Sequence, residues 1–157
     1  MRLLRNMKLL RAFFLLVDFG FIVYWGITLF HLIPEELLFQ DYHNPLLVVW
    51  NWSFFPLDIF VSMTGLLSLY LNRKGHPLWI QMALVSLVLT FCSGLQAIAF
   101  WSIQGFFDPL WWAPNLFLLM YPFFFIPGLM LRLLQGGVGD MTLSRKGMGM
   151  SGQITAE

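Results

Sequence analysis

Four long apolar stretches constrain this chain more than any other feature. They cover about residues 12–33, 46–71, 78–103 and 111–134, and each exceeds the roughly 20 residues that a helix needs to cross a bilayer. Apolar residues make up 59% of the 157 residues and charged residues 11%, which is more apolar surface than a soluble protein of this size can bury. We therefore predict an all-α integral membrane protein, a bundle of four transmembrane helices joined by short loops.

The basic residues all lie on one side of the predicted spans. Of the nine Lys and Arg residues, four precede the first span, two lie between the second and third, and three lie at or after the end of the fourth. The opposite side holds Glu35, Glu36, Asp41 and Asp108, with no Lys or Arg. The positive-inside rule then predicts a multi-pass protein of the cell membrane with both termini in the cytoplasm.

The predicted spans make one domain over residues 1–134. Residues 135–157 are rich in Gly, Ser, Thr and Met and have no helical period. We expect this segment to be a flexible cytoplasmic tail.

Two carboxylic acids lie at membrane depth, Asp18 in the first span and Asp58 in the second. A charge at the centre of a transmembrane helix costs about 2.5–3.5 kcal/mol on insertion scales, so such residues usually face the bundle interior. No Lys or Arg lies at the same depth, so their partners must be neutral groups, water or each other. Each acid is therefore either a functional group, as a ligand anchor or proton relay, or a structural hydrogen bond between helices.

Polar and small residues recur at helical spacing on all four spans. The four sets are Asp18 and Trp25; Asn51, Asp58, Ser62 and Gly65; Ser86, Thr90, Ser93 and Gln96 or Ala97; and Trp111, Asn115 and Pro122. Four such faces converging on the bundle axis predict a polar chamber in the outer half, with Asp58 as its floor and aromatic walls. The alternative is that these groups only bond helix to helix and allow close packing.

The leading hypothesis is a protein that binds a small apolar or amphipathic molecule in this outward-facing chamber. Asp58 and Asn51 would anchor the polar end of the ligand, and tryptophans would line the mouth. The candidate ligand-binding residues are Asp18, Asn51, Asp58, Gln96, Trp101, Trp111, Trp112 and Asn115.

Two alternatives belong to other functional classes. The chain is a structural or accessory subunit that packs against a partner membrane protein or another copy of itself, or it is a membrane-embedded isomerase that uses Asp18 and Asp58 as acid and base. No catalytic, cofactor-binding, metal-binding or nucleic-acid-binding motif is present in the sequence. The sequence motifs therefore give no positive case for an enzyme, a cofactor or a metal.

Three segments resemble the YvaD family of small bacterial membrane proteins. They are NWSFFPLDIFVSMTGLLSLY (residues 51–70), TFCSGLQAIAFW (residues 90–101) and DPLWWAPNLFLLMYPFFFIP (residues 108–127). HLIPEELLFQDYHNPLLVVWNW is similar to the first outer loop of the family. The resemblance implies a four-helix membrane protein and implies no activity, so no catalytic residue is carried over from it.

Overall fold

The architecture is all-α in the computed structural model, which describes residues 2–34 and 43–151, with side chains for residues 7–34 and 43–135. Its helices are α1 (Arg2–Leu29), α2 (Pro45–Trp52), α3 (Phe55–Arg73), α4 (Trp79–Ile103) and α5 (Pro109–Ser151). Within these residues, four segments are long and apolar enough to cross a membrane: Met7–Leu29, Pro45–Arg73, Trp79–Ile103 and Pro109–Gln135. The predicted four-helix architecture is confirmed, with α2 and α3 together forming the second span.

The helix ends differ from the predicted spans where a helix continues past its apolar part. The first helix begins at Arg2 rather than near residue 12, and α5 stays helical to Ser151 rather than ending near residue 134. That the segment from residue 135 is flexible stays a prediction. Glu35, Glu36 and Asp41 of the predicted acidic loop, and residues 152–157 of the tail, lie outside the described residues.

Two of the helices start with the same capping arrangement. Asn44 precedes Pro45, and its side-chain oxygen accepts a hydrogen bond of 3.1 Å from the backbone N–H of Leu46. Asp108 precedes Pro109 and accepts one of 2.9 Å from Leu110 in the same way. A polar cap followed by proline is favourable because the first N–H groups of a helix have no partner inside it.

Three helices end in a Schellman motif, in which the chain turns through a residue with positive φ. Those residues are His31 (φ 50°) after α1, Gly75 (φ 68°) after α3 and Gly105 (φ 68°) after α4. After α3, His76 donates to the carbonyl of Leu71 at 3.0 Å and Gly75 to that of Asn72 at 3.1 Å. These hydrogen bonds satisfy the last carbonyls of each helix, so the loops can be short.

The second span breaks between α2 and α3 because Pro56 cannot donate a backbone hydrogen bond. The chain tightens before it: the N–H of Phe54 bonds the carbonyl of Asn51 at 3.1 Å, three residues back. Regular helical bonding resumes with the N–H of Asp58 donating to Phe54 at 2.9 Å. The break lies in the part of the span nearer the end that carries Asp108, one turn from Asp58.

The helices pack in the order α1, α3, α4, α5, with α3 between α1 and α4 and α4 between α3 and α5. Small residues bring α4 close to both neighbours. A Cβ added to Gly94 would lie 2.6 Å from the backbone nitrogen of Leu119 on α5, and Ser86 donates to the carbonyl of Val61 on α3 at 3.3 Å. We call the end of the bundle that carries Arg73 and Arg132 the basic end and the opposite end, with Asp108, the acidic end.

Aromatic side chains make the contact between α1 and α5. The Phe13 ring lies 5.4 Å from the rings of Phe117 and Tyr121 and 5.7 Å from that of Phe125, measured between centroids. Since rings of this size hold two helix backbones apart, this seam is wider than the seams that small residues form on either side of α4.

Candidate functional site

Asp58 joins three helices through its two carboxyl oxygens. Trp25 on α1 donates its indole N–H to Oδ2 at 3.0 Å, and Ser93 on α4 donates its hydroxyl to Oδ1 at 2.9 Å. Ser62, one turn further along α3, donates to the backbone carbonyls of both Asp58 and Asp18. Asp58 is 4% exposed, and its oxygens are occupied by protein donors. The sequence allowed two interpretations of Asp58, as the floor of a polar chamber or as a hydrogen-bonding link between helices. The contacts of Asp58 are those of the second interpretation.

Asp18 has a different environment, although it is equally buried. Its carboxyl lies over Gly65 on α3: a Cβ added to Gly65 would lie 2.7 Å from Cγ and 2.7 Å from Oδ1 of Asp18. Neither oxygen has a hydrogen-bond partner among the described residues. Gly65 therefore leaves the space that the carboxyl occupies, and the close approach of α1 to α3 depends on both residues.

The two acids lie in separate layers of the α1–α3 interface. Asp18 faces Gly65, and Trp25, two turns nearer the acidic end, bonds Asp58. Seven residues of helix correspond to about 10 Å. The structure therefore does not bring the two carboxyls to one point, which the isomerase alternative requires.

The layer next to the acidic end contains two buried N–H donors without partners among the described residues. Asn51 accepts a hydrogen bond of 3.2 Å from the hydroxyl of Tyr24, but its Nδ2 has no described partner. The indole N–H of Trp101 on α4 also has none within the described part of the chain. Both residues are 5% exposed, and a buried donor left unpaired costs about 1–3 kcal/mol.

Asn51 and Trp101 lie at the same height in the bundle. Trp50, the neighbour of Asn51, stacks on Phe100 with ring centroids 3.9 Å apart and meets the edge of Trp101 at 5.6 Å. One turn below them, Phe54 and Ala97 pack together with Trp25. The two free donors are therefore at one level, above the aromatic layer that covers Asp58.

The other predicted site residues divide into two groups. The sequence pattern allowed either Gln96 or Ala97 on the inward face of α4. In the structure Gln96 is exposed and Ala97 is buried. Asn115 donates to the carbonyl of Trp111 on its own helix at 2.8 Å, and Trp112 donates to that of Phe106 at 3.2 Å. The structure thus brings Asn51, Asp58 and Trp101 into the interior of the bundle, whereas Gln96 faces away from it.

A second feature was not predicted from the sequence: an apolar cavity of about 440 Å³ between α1 and α5. We call it the α1–α5 groove. Its lining residues are Leu9, Phe13, Phe117, Met120, Tyr121, Phe124 and Phe125. The only sequence signal for it is the excess of aromatic residues on α5, which also occurs in ordinary lipid-facing helices.

Comparison with known proteins relates the chain to one family. The family of unknown function DUF5360 matches residues 10–135. This range includes most of the first membrane-crossing segment and all of the other three. The chain belongs to this family. It is similar to the "Uncharacterized protein YvaD" of Bacillus subtilis (strain 168), with 54% identity over 120 residues that cover 76% of this chain and 90% of the relative. No solved structure matches it. The resemblance seen in the sequence is confirmed, and neither description names an activity.

Proposed function

We propose that this protein binds a small amphipathic molecule at the acidic end of the bundle, through the free N–H donors of Asn51 and Trp101. The observation that carries the proposal is the pair of buried donors at one level without described partners. Polar groups in a membrane interior are usually hydrogen-bonded because an unpaired group costs free energy. A ligand that brings acceptor oxygens to this layer would supply the missing bonds.

The charge distribution favours a neutral ligand. All nine Lys and Arg residues belong to the basic end or to the segments next to it in sequence, so the acidic end offers an anionic group no counter-charge. The aromatic rings around Trp50 and Trp101 suit an apolar body. The ligand class is therefore a neutral amphiphile with ester, amide or hydroxyl oxygens.

The test uses a monoacylglycerol, a neutral amphiphile with one ester carbonyl, added to the purified full-length protein in detergent. Thermal unfolding followed by circular dichroism measures the stabilisation that the monoacylglycerol produces. Trp101→Phe removes one free N–H and should weaken binding about fivefold, because one hydrogen bond contributes about 1 kcal/mol. The variant should be less stable on its own, because the smaller ring leaves space beside Trp50, Phe100 and Phe106. Its stabilisation by monoacylglycerol is therefore measured from its own unfolding midpoint.

Trp25→Phe is the matched control because its N–H already bonds Asp58. It should lower the free energy of unfolding by about 2–4 kcal/mol, because Oδ2 of Asp58 stays buried without a donor and the smaller ring leaves space. The stabilisation by monoacylglycerol should be unchanged. Equal stabilisation of the wild type and Trp101→Phe, or loss of stabilisation in Trp25→Phe alone, would contradict the proposed site.

The orientation of the protein is part of the proposal. Following the positive-inside rule, the basic end faces the cytoplasm, and the ligand enters from the opposite side of the membrane. The accessory-subunit alternative also stays a prediction, since the hydrogen bonds of Asp58 join helices of one chain and say nothing of a second chain. A stoichiometric partner protein in a mild detergent extract would favour it.

A further inference from the structure

The α1–α5 groove lies nearer the basic end of the bundle than Asn51 and Trp101 do, between the first part of α1 and the middle of the membrane-crossing part of α5. Its rim is formed by side chains with large exposed fractions, Leu9 at 48%, Met120 at 50% and Phe124 at 77%, and its floor by Tyr121 and Phe125, which are buried. The cavity of about 440 Å³ is within the range of small-molecule sites, about 300–1,000 Å³. These residues belong to membrane-crossing segments and their side chains are almost all aliphatic or aromatic, so an acyl chain suits the groove.

A positive charge lies beside the groove at the basic end. The guanidinium of Arg132 on α5 reaches across the seam and donates to the sulfur of Met7 on α1 at 3.2 Å. Arg132 lies seven residues past Phe125 of the groove, about two turns further along the same face of α5. Sulfur is a weak acceptor, and the guanidinium has five N–H donors that suit phosphate oxygens. Lys8 and Arg11, both exposed, add positive charge on the same part of α1.

From this combination we propose a specific site for an anionic phospholipid, independent of the function proposed above. One acyl chain occupies the α1–α5 groove, and the phosphate lies against Arg132. A basic group between transmembrane helices, next to an apolar groove, recognises the two parts of such a lipid together. If the basic end faces the cytoplasm, the lipid belongs to the inner leaflet.

The test titrates the purified full-length protein with phosphatidylglycerol and with phosphatidylcholine of the same chains, with native mass spectrometry counting bound lipids. The expected result is one tightly bound phosphatidylglycerol and about fivefold tighter binding of it than of phosphatidylcholine. One basic residue near a membrane surface contributes about 1 kcal/mol to the binding of an anionic lipid, which corresponds to this ratio. Arg132→Gln should remove most of the preference, and Arg132→Lys should keep most of it. Equal binding of the two lipids by the wild type would overturn the proposal.

A second pair of variants tests the groove itself. Met120→Trp fills the rim and should weaken binding of phosphatidylglycerol. Met130→Trp is the matched control, because Met130 is 53% exposed on the same helix but does not line the groove. The control for Arg132→Gln is Arg73→Gln, which removes an exposed basic residue at the same end of the bundle, on α3. It should not change the preference for phosphatidylglycerol.

Glycerol phosphate, the headgroup without chains, separates a lipid site from a simple phosphate site. It should not displace phosphatidylglycerol at concentrations comparable with those of the lipid. Full displacement, or equal binding by Met120→Trp and Met130→Trp, would show that the groove holds no chain and would overturn the proposal. Met120 is on the surface of the bundle, so this pair remains informative even if Arg132→Gln fails to fold.

Discussion

Asp18 and Asp58 show how strongly the surroundings of one residue type differ within a single bundle. Asp58 has two protein donors, from Trp25 and Ser93, whereas both oxygens of Asp18 are without partners in the described part of the chain. The sequence predicted that both acids face the bundle interior. It could not predict that one has hydrogen-bond donors on other helices and the other has none among the described residues. The difference depends on which residues of other helices stand at the same height, and this is not encoded in the spacing along one helix.

At the residue scale, we expect Gly65→Ala to destabilise the protein by about 2 kcal/mol, because the added methyl group overlaps the carboxyl of Asp18. The double variant Asp18→Ala, Gly65→Ala should recover at least half of that loss, since it removes the group in conflict. Unfolding by a denaturing detergent in mixed micelles measures both values.

The control for this pair is Gly20→Ala, because a Cβ at Gly20 meets nothing within 4 Å. It should be neutral or stabilising by up to about 1 kcal/mol, given the higher helix propensity of alanine. A double variant no more stable than Gly65→Ala alone would contradict the contact between Asp18 and Gly65.

At the scale of the helices, the positions of the four spans could be predicted to within a few residues from hydrophobicity alone. The break at Phe54 follows from Pro56. Because a single proline can also kink a helix that continues, packing decides between a kink and a break. Gln96 and Ala97 are adjacent in sequence and both fit the polar face of α4, so spacing alone could not decide which is buried. The α1–α5 groove could not be predicted, because the width of a seam depends on which residues of two helices meet.

The seam between α4 and α5 gives a prediction at this scale. Gly94→Ala should destabilise the protein by about 3 kcal/mol, because its methyl group meets the backbone of α5 rather than a movable side chain. A Cβ there lies 2.8 Å from the carbonyl oxygen of Asn115 as well as close to Leu119. Truncating the Asn115 side chain should therefore not restore the stability of Gly94→Ala, in contrast to the Asp18 and Gly65 pair. Unfolding by a denaturing detergent measures the stability of both variants. Rescue of Gly94→Ala by Asn115→Ala would contradict the backbone contact.

For the whole molecule, the direction of insertion can be tested with two matched cysteines. His43 and His76 are both exposed and lie in turns at opposite ends of the bundle. In a Cys92→Ser background, which removes the single cysteine of the chain, a membrane-impermeant maleimide on intact cells should label His43→Cys and not His76→Cys. The expectation follows from the basic residues beside His76.

Permeabilised cells provide the control, since both cysteines should then be labelled. Labelling of His76→Cys but not of His43→Cys in intact cells would mean that the basic end faces outward. That result would reverse the orientation in both proposals without changing either set of contacts.

The unequal seams of the bundle also determine how a guest molecule would arrive. The close contacts around α4 leave little room between those helices, whereas the aromatic rings between α1 and α5 leave an opening on the side of the protein. In a bilayer, such an opening would face the acyl chains and not the surrounding water. A guest would therefore travel laterally within one leaflet, and its occupancy would follow its mole fraction among the lipids instead of its concentration in the aqueous phase.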